Sequence, residues 1–316
     1  MKLGKFLLCA LLLYFGTVNA KEIAITFDDS PRHATGLLSG PERAKKLIEV
    51  LKYYKVPKVT FFANSGKLDA EGIARMQAYN NAGHIIANHT HSHPDFNKLT
   101  LSEYSEDVLK ADKQLRQFSQ FKKYFRFPYL REGDTVEKRD GMRELLSQNG
   151  YTNAYITLNN YDWYIENIFQ QALNEGKAID FGLMKDFYVS VLMESIEYYD
   201  DMAIKALGRT PKHVLLLHEM DISALFIGEL VAELRRKGWK IITLEDALSD
   251  DIATYQTDKV YRFNPGRIGE IVKDSGKKKR LWHETLSEKY LDKRFQEEVI
   301  NPSSKKTSKL ISKQTD

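Results

Sequence analysis

Cysteine occurs once in the 316 residues, at position 9. A single thiol excludes an internal disulfide framework and any metal centre built from several thiolates. A metal, if one is held, must rest on imidazoles and carboxylates. Proline is scarce, with eight, and glycine is ordinary, with eighteen, so collagen-like and low-complexity chains are excluded. A strong charge of one sign is missing as well. Forty-seven Lys and Arg against forty-three Asp and Glu leave a formal charge of +4, too mild to imply a nucleic-acid partner. No apolar run approaches the roughly 18 residues that a membrane-spanning helix requires.

What is present is apolar mass. Hydrophobic residues make up 42% and charged residues 28% of the chain, enough for a large core in one barrel-sized domain or two ordinary ones. The longest apolar run, residues 6–15, follows Lys2 and Lys5 and is followed by Val18 and Ala20, small residues placed before a cut. This pattern reads as a signal peptide over residues 1–20. Leu8 is not the small residue that lipidation of Cys9 would need. The expected mature chain begins at Lys21, has no cysteine and no integral membrane span, and is exported to the periplasm or the extracellular space.

From residue 21 onward, short β-like runs alternate with helical stretches. Strands are predicted over 23–27, 59–62, 85–87, 125–128, 154–158, 214–217 and 240–243. Helices are predicted from Pro41 to Tyr54, from an Asp69 cap to Gly83, from a Thr100/Glu103 capping box through Phe118, over 143–148, and near 185–207 and 222–236. Seven strands separated by helix, with no hairpin signal, imply a parallel sheet, either open or closed into a barrel. Composition changes at about residue 257. Residues 258–316 hold fifteen Lys and Arg against nine Asp and Glu, whereas residues 21–257 hold thirty against thirty-four. The domain reading is therefore a catalytic domain over 21–257 and a basic C-terminal extension over 258–316, disordered from about residue 301. Within it, Trp282, Leu286, Tyr290 and Phe295 are spaced for one docking helix.

Three of the eight histidines fall within five residues, as His89-Thr90-His91-Ser92-His93. His89 and His93 are four apart, so one helical turn would aim both the same way, although Pro94 stops any such turn at once. Asp28-Asp29 ends the first predicted strand. Adjacent carboxylates repel unless a cation or a shared proton relieves them. One Asp with His89 and His93 makes three ligands with open positions, which is the catalytic form of zinc coordination, and the other Asp is left for proton transfer. His218 ends the apolar run 214–217. Arg126, in Arg126-Phe127-Pro128-Tyr129, and Asp162-Trp163 are unremarkable alone. All of these groups lie at or just beyond the ends of different predicted strands, where parallel α/β barrels carry their catalytic residues. The joint reading is a hydrolase site.

Taken in order, the motifs resemble those of the polysaccharide deacetylase family, the NodB-homology or carbohydrate esterase family 4 group. Thr26-Phe27-Asp28-Asp29-Ser30-Pro31 is similar to its first motif, with Ser30 where Gly is usual. Asn88 to Pro94 resembles the second and Arg126 to Tyr129 the third, with Leu130 where the family usually has Gly. Asp162-Trp163 resembles the fourth and Leu216-Leu217-His218 the fifth. The resemblance implies a distorted parallel (β/α)7 barrel and removal of acetyl groups from N-acetylated sugars. It implies one divalent metal on Asp29, His89 and His93, most simply zinc, with cobalt or another transition metal admitted. It makes Asp28 the general base, held by Arg126, and His218 the general acid, oriented by Asp162. The backbone near Tyr129 would aid the oxyanion, and Trp163 and Leu216 would wall the acetyl pocket. His91 has no ligand role there. The expected partner is an N-acetylated glycan (peptidoglycan, chitin oligomers or another envelope polysaccharide), acted on by a monomer. The readings weighed against this are an amidohydrolase of a non-sugar amide and a non-catalytic glycan-binding protein.

Overall fold

Seven strands, all parallel, form the centre of the computed structural model, which describes residues 21–277 and 280–302. The expected signal peptide, and all of the expected disordered tail but Asn301 and Pro302, lie outside the described residues. β1 (Lys21–Ser30) is flanked along one edge by β6 (His213–His218), in register from Ile23↔His213 to Asp28↔His218. Its other edge is shared: β7 (Trp239–Ile242) pairs with Lys21 to Ala24, and β2 (Thr60–Ala63) pairs with Thr26 to Ser30. From β2 the sheet runs on through β3 (Ile85–Asn88), β4 (Phe121–Phe125) and β5 (Thr152–Asn153).

The chain leaving β5 then crosses to β6. Leu158 bridges Leu215, and the N–H groups of Thr157 and Leu158 both donate to the Val214 carbonyl at 3.1 Å. Residues 152–158 thus touch β4 at one end and β6 at the other, and the ring closes as a distorted parallel α/β barrel. Two strand predictions are corrected here. The fourth strand ends at Phe125 instead of running to Pro128, because residues 128–130 turn into a short 3-10 helix. The fifth is regular only at 152–153, and residues 154–158 keep only the contacts that the crossing allows.

The helices follow their sequence signals closely. α1 (Gly40–Tyr53) carries Pro41 in its first turn and a Ser39/Glu42 capping box, and Asp69 caps α2 (Ala70–Asn81). The Thr100/Glu103 box opens α3 (Leu101–Leu115), which stops three residues short of Phe118. α4 (Val136–Gln148) starts seven residues before the predicted 143, where Thr135 caps it. α5 (Asp162–Asn174) was not foreseen, since Tyr161 at its N-cap gives no side-chain cap. α6 (Phe181–Leu207) begins at an Asp180 cap and ends at Gly208, whose φ of 73 suits a residue without Cβ. α7 (Asp221–Arg236) precedes β7, and α8 (Leu244–Ala247) follows it.

Buried side chains form one large cluster, which includes Phe27, Phe61 and Tyr79, and three smaller ones. Phe27 stacks on Phe61 at 5.1 Å and Phe61 on Tyr79 at 3.9 Å, all three buried. Burial of one such ring is worth about 2–3 kcal/mol. Packing continues past residue 257. α9 (Gly266–Asp274) buries Ile268 and Val272 against Tyr155, Ala203 and Ile252. α10 (Glu288–Phe295) lays Phe295 against Phe187, with Arg294 paired to Glu194 at 2.7 Å. Tyr290 and Phe295 dock from this helix as expected, Leu286 docks from a short 3-10 turn just before it, and Trp282 is 46% exposed. Among the described residues no helix is long and apolar enough to cross a membrane.

Candidate active site

In a regular strand, Asp28 and Asp29 would point to opposite faces. They do not, because β1 breaks its register against β2 between Phe27↔Phe61 and Ser30↔Ala63, taking three steps on one strand to two on the other. Asp29 sits in this bulge with φ 64, a left-handed conformation that re-aims its side chain. Both carboxylates consequently approach one imidazole nitrogen: His89 Nε2 is 4.0 Å from Asp28 Oδ2 and 3.5 Å from Asp29 Oδ1.

The histidine segment follows β3 and is not helical, in keeping with Pro94, and convergence comes from two left-handed kinks, at Thr90 (φ 70) and His93 (φ 56). Side chains fix the kinks. Thr90 N–H donates to Asn88 Oδ1 at 2.8 Å, and His93 N–H donates to Thr90 Oγ1 at 3.0 Å. His93 Nε2 then stands 3.0 Å from Asp29 Oδ1. His89 Nδ1 lies 2.8 Å from the Arg126 carbonyl, which can only accept, so that nitrogen carries a proton and Nε2 is the one turned toward the two carboxylates.

The donor set fits a cation. The ligand atoms of Asp29, His89 and His93 all lie within 4.8 Å of one another, and the buried Oδ1 of Asp29 accepts no hydrogen bond. Burial works against the Asp29 charge, but the facing imidazoles and His218 outweigh it and hold the carboxyl well below its usual range. Burial pushes the His93 imidazolium down, toward the neutral form that binds metals. His91 turns away, its Nδ1 lying 2.9 Å from Ser65 Oγ and 3.0 Å from Gln114 Oε1.

Arg126 is buried and reaches across the ring. Its Nη1 donates to Asp28 at 3.1 and 3.3 Å, its Nε donates to the Ala154 carbonyl, and its guanidinium lies 4.3 Å from the Phe62 ring centroid. On the neighbouring strand His218 stands in register with Asp28. Asp162, fully buried at the first position of α5, takes the His218 ring at Nδ1 (2.7 Å) and the His218 backbone N–H (2.7 Å). Burial disfavours the imidazolium, yet the Asp162 carboxylate overcomes it and raises the His218 pKa above the ordinary value.

The remaining expected residues are placed less centrally. The Tyr129 ring packs edge-on at 4.7 Å from His93, and both Tyr129 (φ 56) and Leu130 (φ 58) are left-handed, so the position where the family usually has Gly adopts a conformation that favours Gly. Leu216 is buried on β6. Trp163 is half-buried between Tyr161 and Tyr164, and its N–H donates to Asp162 Oδ1.

Several contributors were not read from the sequence. Asn64 Nδ2 donates to the His89 carbonyl, Asn160 Nδ2 to that of Leu216, and Arg32 pairs with Asp29 Oδ2 at 3.1 Å. Glu219, next to His218, is fully buried and receives Tyr79 Oη at 2.9 Å and the Arg32 N–H at 2.6 Å, tying the loop after β1 to the rim. Its adjacency to His218 was the one available signal.

Residues 15–154 match the family model described as polysaccharide deacetylase. That span includes Asp28, Asp29, His89, His93, Arg126 and Tyr129, but not Asp162, Trp163, Leu216 or His218. The chain is 31% identical over 127 residues to a peptidoglycan-N-acetylglucosamine deacetylase of Bacillus cereus, covering 40% of this chain and 42% of that protein. It is 27% identical over 248 residues to a chitin deacetylase of Arthroderma benhamiae, covering 76% of this chain and 54% of that protein. The matches thus span about half or less of these relatives' own length. A CE4 family pseudoenzyme from Bacillus anthracis shares the fold, with a TM-score of 0.52 and 17% identity over 73% of this chain and 66% of that one. The match of residues 15–154 to the polysaccharide deacetylase family agrees with the order of the motifs and with the parallel α/β barrel that carries them.

Proposed function

We propose that the chain is an exported, metal-dependent hydrolase that removes N-acetyl groups from N-acetylglucosamine-containing glycan and releases acetate. The observation that carries this reading is the rim itself: Asp28 and His218 stand side by side on adjacent strands, next to a three-ligand metal cradle. A surface that only binds glycan has no need of a base, an acid and a metal site together. The residues in these roles come from one chain, which supports action as a monomer.

Asp29, His89 and His93 would hold the ion, most simply zinc. When bound, such an ion would lower the pKa of its water to about 7 and polarise a carbonyl. Asp28 takes the proton from the attacking water as oxygen adds to the acetyl carbon, and Arg126 fixes the carboxylate for that task. The backbone beside Tyr129 faces the developing oxyanion. As the carbon–nitrogen bond breaks, His218 gives its proton to the departing amine, leaving acetate and a free amino sugar. Asp162 keeps His218 charged and correctly turned until then. Trp163 and Leu216 line the acetyl side. The pattern of residues 1–20 supports export, and envelope glycans lie outside the cytoplasm.

Acetate release from N-acetylglucosamine oligomers and from purified peptidoglycan tests this reading. The full chain would be assayed with zinc, with chelator, and as His89→Ala. Acetate that is lost with chelator and in the variant is the expected result, and the better substrate names the glycan. No acetate from any glycan despite bound metal would move the assignment to a non-sugar amide.

A further inference from the structure

On the far side of Tyr129 from the metal cradle lies a second concavity, of about 420 Å³, with Asp95, Asn97, Lys98, Arg131, Arg262 and Phe263 among its walls. Two walls belong to the site's own loops. Residues 95–98 continue from His93-Pro94, and Arg131 follows Tyr129-Leu130. The third wall, Arg262-Phe263, comes from a part of the chain beyond the residues matched to the family model. The walls are tied together: Arg131 pairs with Asp95, and Asn97 Nδ2 donates to the Arg262 carbonyl at 3.3 Å.

Three successive contacts lead outward from the metal side. The His93 ring meets Tyr129 at 4.7 Å, the Arg131 guanidinium lies 5.3 Å from the Tyr129 centroid, and it lies 5.2 Å from that of Phe263. Phe263 is nevertheless 60% exposed. The charges around it are mixed, with Asp95 and Asp134 against Lys98, Arg131 and Arg262, which favours a neutral, hydroxyl-rich ligand over a polyanion. An open aromatic face beside planar amide, carboxylate and guanidinium groups suits a sugar ring. The C–H face packs on the aromatic, and the hydroxyls meet the polar groups.

We propose that Phe263, with Arg262 and Asn97, forms a second sugar-binding position, which holds a residue of the glycan chain two or more units away from the one whose acetyl group lies at the rim, beyond the reach of a dimer. This inference rests on the deacetylase reading and adds a preference for chain length to it. The segment after residue 257 would then set which oligomers the enzyme prefers.

The test compares the wild type and Phe263→Ala, as full chains with zinc, on the dimer and hexamer of N-acetylglucosamine. In Phe263→Ala, KM for the hexamer is expected to rise about tenfold with kcat within about twofold, while the dimer constants move less than about twofold. Phe263→Tyr, which keeps the aromatic face, should restore the hexamer KM. An equal change on dimer and hexamer, or none, overturns the second position while leaving the deacetylase reading intact. If the wild type releases no acetate, the deacetylase reading falls, and hexamer binding to Asp28→Asn by calorimetry decides this one separately. Binding weakened about tenfold by adding Phe263→Ala sustains it, and unchanged or undetectable binding ends it.

Discussion

On the β1–β3 side of the rim, the side chains of Asp29, His89 and His93 converge only because the backbone is bent against its preferences. On the β6 side, Asp162 and His218 converge with ordinary geometry, one at the start of a helix and the other at the end of a strand. Seven non-glycine residues with positive φ occur among the described residues; five of them, Asp29, Thr90, His93, Tyr129 and Leu130, belong to the metal side or its border. Each such residue costs about 1–2 kcal/mol, a strain that surrounding contacts must hold in place. The difference suits the roles proposed for the two sides. A cation needs several lone pairs at one point from residues close in sequence, whereas an acid and its orienting carboxylate need only two side chains from separate elements.

The comparison breaks most plainly if the two proton-handling groups differ in importance. Asp28→Asn on the bulged strand and His218→Ala on the regular one are each expected to lower kcat on the order of a thousandfold, with metal content by mass spectrometry unchanged. A near-wild-type rate in either variant would remove that residue from the chemistry.

A smaller effect sharpens the acid side. Burial disfavours the His218 imidazolium but Asp162 raises its pKa, so Asp162→Asn lets the proton leave at lower pH. A step that needs the protonated acid is then lost earlier as pH rises. The alkaline limb of the kcat profile should move toward acid, with kcat at its plateau down by about tenfold to a hundredfold. An unmoved limb would assign that ionisation to another group.

The smallest effect concerns the strain itself. Leu130→Val puts a β-branched side chain at φ 58 and should lower the urea midpoint by the equivalent of about 1 kcal/mol. An unchanged midpoint would show that the left-handed turn costs nothing there.

The placement of the site could be read from the sequence because its groups follow apolar strand runs, and those runs were visible. Asp28, Asp29, His89, Arg126 and His218 could all be set at strand ends from periodicity. The means of convergence could not. Ile23 to Asp29 alternates like any strand, and nothing in an aspartate announces the bulge at Asp29. His89 and His93 suggested a helical turn, and the correct aim arises from Asn88 and Thr90 side chains bonding backbone N–H groups, which spacing cannot reveal. α5 was missed because its start lacks a side-chain cap, and α9, whose Ile268, Ile271 and Val272 recur at helical spacing, starts without one as well. Contacts set by distant chain, such as Arg32 on Asp29 or Glu219 beneath the loop, need the closed ring to exist first.

Arg126 draws its carbonyl partner from Ala154, on the segment that closes the ring, and its carboxylate partner from Asp28 on the opposite strand. One planar guanidinium therefore serves two tenants whose needs are unrelated, the shape of the barrel and the placing of the Asp28 carboxylate. A lysine, with one compact charge, could satisfy either of them but not both in these directions. Shape and reactivity are inherited together at this position. A designer who wishes to retune the base without loosening the barrel must work through Thr26 or Phe62 instead, the other neighbours that Arg126 touches.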